Sequence, residues 1–130
     1  YEEPQLTIMV SEVLHAIIAH NWEQTCLTIE AGVVKVADAL DMTQGRSRIP
    51  FEAGAVNIHS VSAQSIQEVR IERGDERPVR IVVDLSGTAG IFQVDELLQR
   101  KLRHSTLAPY VEIVARLETT TDHLSKVYKL

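Results

Sequence analysis

The sequence predicts an α+β fold, in which an N-terminal helical pair precedes a small antiparallel ββαβ unit. The prediction depends on a change of period along the chain. Apolar residues recur every three or four positions at residues 6–20 and 29–40, which is typical of amphipathic helices. They alternate with polar residues at 79–85, which is typical of a half-buried strand.

The first two helices have recognisable ends. Pro4 suits the first turn of the first helix, where its missing N–H would have no partner anyway. Thr28 is placed to cap the second helix, and Gly45 suits a helix end. The apolar stripe of the first helix is predicted to face the core; its members are Leu6, Met9, Val10, Val13, Leu14, Ile17 and Ile18.

The second half alternates strands with one long helix. Residues 69–71 and 79–85 are separated by the turn-forming residues 74–78, so an antiparallel hairpin is expected. Residues 92–103 have helical period, and residues 110–117 form the last predicted strand. A short helix is also expected at 60–67, and no period is evident after residue 119. We therefore divide the chain into a helical part, 1–54, and an α+β unit, 55–130.

Composition excludes several classes of protein. A net charge of −5 and 5% aromatic residues argue against a nucleic-acid or anionic-membrane binder. No apolar run approaches the length that spans a bilayer, and the single cysteine, Cys26, cannot form an internal disulfide. These observations favour a cytoplasmic protein. Because the chain opens at Tyr1, without methionine, and soon enters a helical pattern, we expect a piece of a longer polypeptide or a trimmed form.

His20 and Asp38 are the candidate site residues of the helical pair. On a helical wheel His20 falls within about 20° of Val13, on the apolar side, whereas His15 falls about 200° away. Asp38 lies in an apolar run, where a carboxylate is costly unless it is paired or bound to a metal. A histidine at the edge of the core and a surface carboxylate remain the alternatives. If the two helices are antiparallel neighbours, both side chains could reach one divalent metal ion.

A resemblance to a known family rests on the same residues. The run from His15 to His20 (HAIIAH) and the run VKVADALD, which ends at Asp41, resemble the downstream half of an HD-domain metal-dependent phosphohydrolase. The likeness implies that His20 is an auxiliary histidine of the metal site and that Asp38 is its terminal aspartate. The continuation to Gly54 resembles a subgroup that carries an additional C-terminal α+β unit.

The chain departs from the family at its defining motif. The His-Asp dipeptide that names the family does not occur in this sequence, and His123 follows Asp122 in the reverse order. The missing ligands are therefore truncated, supplied by another chain, or never required. An alternative function is a non-catalytic regulatory or dimerisation module that retains an incomplete metal site. An exposed sheet edge would favour a homo-oligomer in either case.

The resemblance implies hydrolysis of a phosphomonoester or nucleotide through a metal-activated water. Asp38 would then hold a divalent metal ion and help orient the water, while His20 would bind a second ion or the substrate phosphate. Arg46 and Arg48 follow the ligand helix and are candidates for phosphate binding, with a solvated basic loop as the alternative. Lys35 is expected to face solvent.

Overall fold

The α+β class is confirmed by the computed structural model, which describes residues 2–21, 23–42, 62–117 and 124–128. The helices are α1 (Glu3–Ala19), α2 (Ile29–Leu40), α3 (Ala89–Gln93) and α4 (Arg100–Arg103), and a π-helical segment (Val94–Gln99) joins the last two. The strands are β1 (Ile66–Arg73), β2 (Val79–Leu85), β3 (Val111–Leu117) and β4 (Leu124–Tyr128).

Both N-terminal helices begin as their sequences predict. Glu2 and Gln5 form a reciprocal capping box at the start of α1, with Pro4 in its first turn. The Thr28 side chain accepts a hydrogen bond from the backbone N–H of Ala31 at 3.3 Å, which caps α2. The predicted end of α2 near Gly45 lies outside the described residues, and α2 itself ends at Leu40.

The sheet has four strands in the order β1-β2-β3-β4, and it is mixed rather than antiparallel throughout. The predicted hairpin is confirmed, because β1 and β2 are antiparallel with Ile71 opposite Ile81. β3 runs parallel to β2, and β4 pairs antiparallel with β3. The helical segment between β2 and β3 returns the chain to the same end of the sheet, which is what a parallel pair requires. Of the short helix predicted over 60–67, residues 62–64 are helical. The prediction is wrong from Ile66 onwards, because β1 begins there.

One face of the sheet forms the main core. Side chains of β2 and β3 point towards α2 and the helical segment 89–103. The buried members are Val36, Ala39, Met42, Ile66, Ile81, Val83, Leu85, Val94, Leu98, Leu102, Val111, Ile113 and Ala115. The other side of α2 packs against α1, where Ala19, Cys26 and Ala31 form a smaller buried cluster. Among the helices described, none is long and apolar enough to cross a membrane.

Charged side chains line the opposite face of the sheet. Glu112 on β3 is only 3% exposed, and its carboxylate accepts hydrogen bonds from the backbone N–H groups of Asp75 and Glu76 at 3.1 and 3.3 Å. The guanidinium of Arg80 donates to the same carboxylate at 2.6 Å and also pairs with Asp75. These bonds tie the β1–β2 turn to β3. Gly74 is required there, because a Cβ atom would lie 2.1 Å from the Arg77 carbonyl oxygen.

We predict that Glu112 stabilises the fold in a pH-dependent way. Burial disfavours its charged form, but the Asp75 N–H and the Arg80 guanidinium more than offset burial, so the pKa of Glu112 is lowered from its ordinary value of 4.5. Its contribution is therefore present above pH 4.5 and is lost as the pH falls through the lowered pKa. Glu112→Gln should lower the melting temperature at pH 7 and lower it much less in strong acid.

Glu72→Gln is the matched control for this titration. Glu72 lies on the same face of the sheet, but its side chain is 41% exposed and 4.0 Å from Arg116, so its loss should change the melting temperature little. Equal effects of the two substitutions at pH 7 would contradict the role given to Glu112.

Candidate functional site

The apolar stripe of α1 points away from the rest of the described chain. Every large apolar side chain of this stripe is between 45% and 65% exposed, and Ala19 is the buried residue of the helix. α1 packs on α2 through small side chains, Ala16 and Ala19, against Ala31. Small residues such as these allow two helices to approach closely. The side of α1 that is buried is therefore the alanine side, opposite to the apolar stripe that was predicted to be buried. The stripe consists of Leu6, Met9, Val10, Val13, Leu14, Ile17 and Ile18.

The two histidines of α1 exchange their predicted positions. His20 was predicted to lie on the buried side, but it is exposed at the end of the helix, with Nδ1 2.5 Å from the carbonyl oxygen of Ile17. His15 was predicted to point away, but it is half-buried, and its Nε2 accepts a hydrogen bond from the backbone N–H of Leu27 at 3.1 Å. Both corrections follow from the side of α1 that packs on α2.

Asp38 is paired with a residue that the sequence did not single out. Its side chain is 35% exposed, and its Oδ2 atom contacts Nζ of Lys101 on α4. The Lys101 side chain is 7% exposed, so its ammonium group is almost removed from water. The structure therefore brings Asp38 together with Lys101, while the His20 ring lies at the exposed end of α1 and contacts its own helix.

Lys35, three residues before Asp38, is fully buried. The expectation that it faces solvent is wrong. Its ammonium group donates to the carbonyl oxygen of Gln24, and burial lowers the pKa of Lys35 from its ordinary 10.5, an effect to which Lys101 adds and which the Cys26 thiolate would oppose. Burial likewise raises the pKa of the Cys26 thiol, against the opposing charge of Lys35.

A signal for Lys35 does exist in the sequence. Ala31, Lys35 and Ala39 recur at intervals of four, so they lie on one side of α2, and all three are buried. Two alanines leave room for a long aliphatic stem between them. Nothing comparable marks Lys101, because its contact with Asp38 joins residues that are 63 positions apart.

The donors of the predicted site do not by themselves fit a metal ion. Metal sites in proteins use three or more protein ligands in most cases, and the predicted set contains two, Asp38 and His20. One oxygen of Asp38 is held by Lys101, and Nδ1 of His20 faces its own backbone. Within residues 2–21, 23–42, 62–117 and 124–128, no three His, Cys, Asp or Glu side chains are grouped to hold a metal. Arg46 and Arg48 lie outside the described residues.

Comparison with known proteins identifies a longer relative. The chain is 52% identical over 118 residues to an uncharacterized protein, MJ1020, of Methanocaldococcus jannaschii. The match covers 91% of this chain and 46% of the relative, so the chain spans less than half of that protein's length. No family model matches the chain, and no solved structure matches it.

We predict that the charge of Lys35 costs stability that alkaline pH restores. Between the lowered pKa of Lys35 and its ordinary 10.5, the unfolded chain binds more protons than the folded one, so the stability of the native chain rises with pH. Relative to Lys35→Met, the free energy of unfolding of the parent should therefore increase from pH 7 towards 10.5. Urea unfolding of both proteins in a Cys26→Ala background measures this difference without the titration of the thiol.

Arg103→Met removes an exposed cation from α4 and serves as the control. Its difference from the parent should not depend on pH over the same range. A pH-independent difference for Lys35→Met would contradict the inference that Lys35 is buried as a cation.

Proposed function

We propose that this chain is the downstream part of an HD-type metal-dependent phosphohydrolase that hydrolyses a phosphomonoester or nucleotide in the cytoplasm. The observation that carries the proposal is the uncovered apolar stripe of α1, which lies on the helix that packs beside the Asp38 helix. An HD-type site draws its remaining ligands from further helices. The stripe offers those helices a surface on which to pack.

The size of the apolar stripe favours its being covered by other protein segments over its being exposed to solvent. Seven large apolar side chains, each about half exposed, present roughly 350 Å² of apolar surface if a full side chain offers about 100 Å². A patch of this size is comparable to the largest one on a typical monomeric protein, and such patches are often functional. Covering the stripe would contribute about 9 kcal/mol before the costs of association. A stripe with three-to-four spacing suits another helix.

We propose that the covering helices belong to the same polypeptide. More than half of the relative MJ1020 lies outside the segment that matches this chain, which is enough sequence for several helices. Within such a domain, Asp38 and His20 would be two of the metal ligands, and Arg46 and Arg48 would bind the substrate phosphate. A divalent metal, when bound, would supply water activation and neutralise charge on the phosphoryl group.

A non-catalytic module is the second candidate, and the contact between Asp38 and Lys101 favours it. A carboxylate that is already paired with a buried ammonium group has a structural role without any metal. In this case a second copy of the chain would cover the α1 stripe, and the protein would be a homo-oligomer. The two candidates differ in what they predict for activity and for the stripe.

Asp38→Asn in the longest natural form of the protein is expected to lower phosphatase activity at least about 100-fold, the upper end of what loss of a residue just outside a metal site costs. The assay uses p-nitrophenyl phosphate and nucleoside monophosphates with Mn²⁺. Asp41→Asn is the matched control, since Asp41 is the exposed acid at the end of the same helix. Equal activity of the parent and Asp38→Asn, or no activity in the parent with any metal, would reject the proposal.

Ile17→Asp tests what covers α1. Ile17 is 58% exposed here, so the substitution should leave the melting temperature of the 130-residue chain nearly unchanged. In the longest natural form it would bury an unpaired carboxylate, and the melting temperature should fall by at least about 5 °C. Ser11→Asp, an exposed polar position of α1, is the control. A dimer of the 130-residue chain that Ile17→Asp disperses in sedimentation would favour the second candidate.

A further inference from the structure

We propose that Lys101 is the resident counter-charge of Asp38, and that its ammonium group competes with a divalent cation for the same carboxylate. The inference rests on the proposed function only in its consequence for catalysis. The competition itself follows from the contact between Oδ2 of Asp38 and Nζ of Lys101. While Oδ2 accepts a hydrogen bond from the Lys101 ammonium group, that oxygen is not free to coordinate a metal ion.

Lys101 is held in this position by the core. The next residue, Leu102, is fully buried in the main cluster, and so is Ala39, the neighbour of Asp38 on α2. The two helices therefore cannot separate without opening that cluster. A buried ammonium group that loses its partner is strongly unfavourable. Separating Lys101 from Asp38 therefore costs free energy. This cost weakens the binding of any cation that replaces Lys101 at the Asp38 carboxylate.

A second cation strengthens the effect. Lys35 lies one helical turn before Asp38, is fully buried, and interacts electrostatically with Lys101. Each of these ammonium groups repels a divalent ion that approaches Asp38, and the repulsion is weakly screened because both groups are removed from water. The negative charge of Asp38 is therefore balanced by cationic side chains of this chain, without a metal ion.

The consequence concerns the α+β unit. Lys101 belongs to the segment 55–130, whereas Asp38 belongs to the helical part, so the downstream unit determines how available the proposed ligand is. If the proposed function holds, a metal ion occupies the site only when the remaining ligands outweigh the Lys101 contact. Lys101 would then be a positioning residue, since it acts through Asp38.

Mn²⁺ binding to the 130-residue chain tests the competition, by isothermal titration and by the electron paramagnetic resonance signal of free Mn²⁺. Lys101→Met should bind Mn²⁺ at least tenfold more tightly than the parent, because the stem is kept and the charge is removed. Lys101→Arg should bind like the parent, and Arg103→Met, an exposed cation of α4, should leave the affinity unchanged. Adding Asp38→Asn to Lys101→Met should abolish the gain.

Equal Mn²⁺ affinity of the parent and Lys101→Met would overturn the inference, as would a gain that survives Asp38→Asn. If Lys101→Met does not fold, the parent decides the question. Titration with Mn²⁺ should leave the NMR signals of residues 37–39 unbroadened at concentrations that broaden exposed acidic sites. Selective broadening of those signals with the Lys101 ε-methylene shift unchanged would show that no competition exists. These outcomes are independent of whether Asp38→Asn affects phosphatase activity.

Discussion

The packing of α2 on two partners is the constraint on which the rest of the structure depends. One side of the helix enters the main core through Val36, Ala39 and Met42, against the strands and the helical segment 89–103. The other side receives α1 through alanine contacts. Two backbone-directed hydrogen bonds fasten its N-terminal end: the Cys26 N–H to the His104 carbonyl at 2.8 Å, and the Thr106 hydroxyl to the Thr28 carbonyl at 2.9 Å. The position of Asp38 follows from this arrangement.

Local features of the fold could be predicted from the sequence, because they depend on near neighbours. The Thr28 cap and the β1–β2 hairpin are set by backbone hydrogen bonds and turn residues within a few positions. The direction of β3 was wrong because a parallel pairing is decided by the path of the helical connection and not by alternation within the strand. β4 was missed, since residues 124–128 show no period that distinguishes them.

The candidate site was harder to predict, because it depends on which side of each helix meets a neighbour. An apolar stripe on α1 indicates a buried face, and the sequence analysis accordingly predicted that this face packs in the core. Within the described residues, α2 instead packs against the side of α1 that carries Ala16 and Ala19, and the apolar stripe is exposed. The positions of His15 and His20 reversed as a result. Lys101 could not be found at all, because its contact is non-local and its own helix gives no sign of it.

These errors have a common physical origin that supports the proposed function. The stripe on α1 has the spacing and size of a buried surface, yet the described chain offers nothing to bury it. A sequence pattern and a structure that disagree in this way are reconciled if further helices pack on α1. The same helices would bring ligands to Asp38, whose carboxylate is meanwhile satisfied by Lys101. Under the proposed function, the exposed stripe and the paired aspartate would both belong to a domain that further helices complete.

The most direct test is a crystal structure of the longest natural form of the protein, grown with Mn²⁺ and measured at the manganese absorption edge. We expect helices to cover the α1 stripe and an anomalous peak to lie within coordination distance of Asp38, with Lys101 displaced from that carboxylate. A structure in which the stripe is exposed to solvent, and in which Lys101 still pairs with Asp38 without any anomalous peak, would contradict the account.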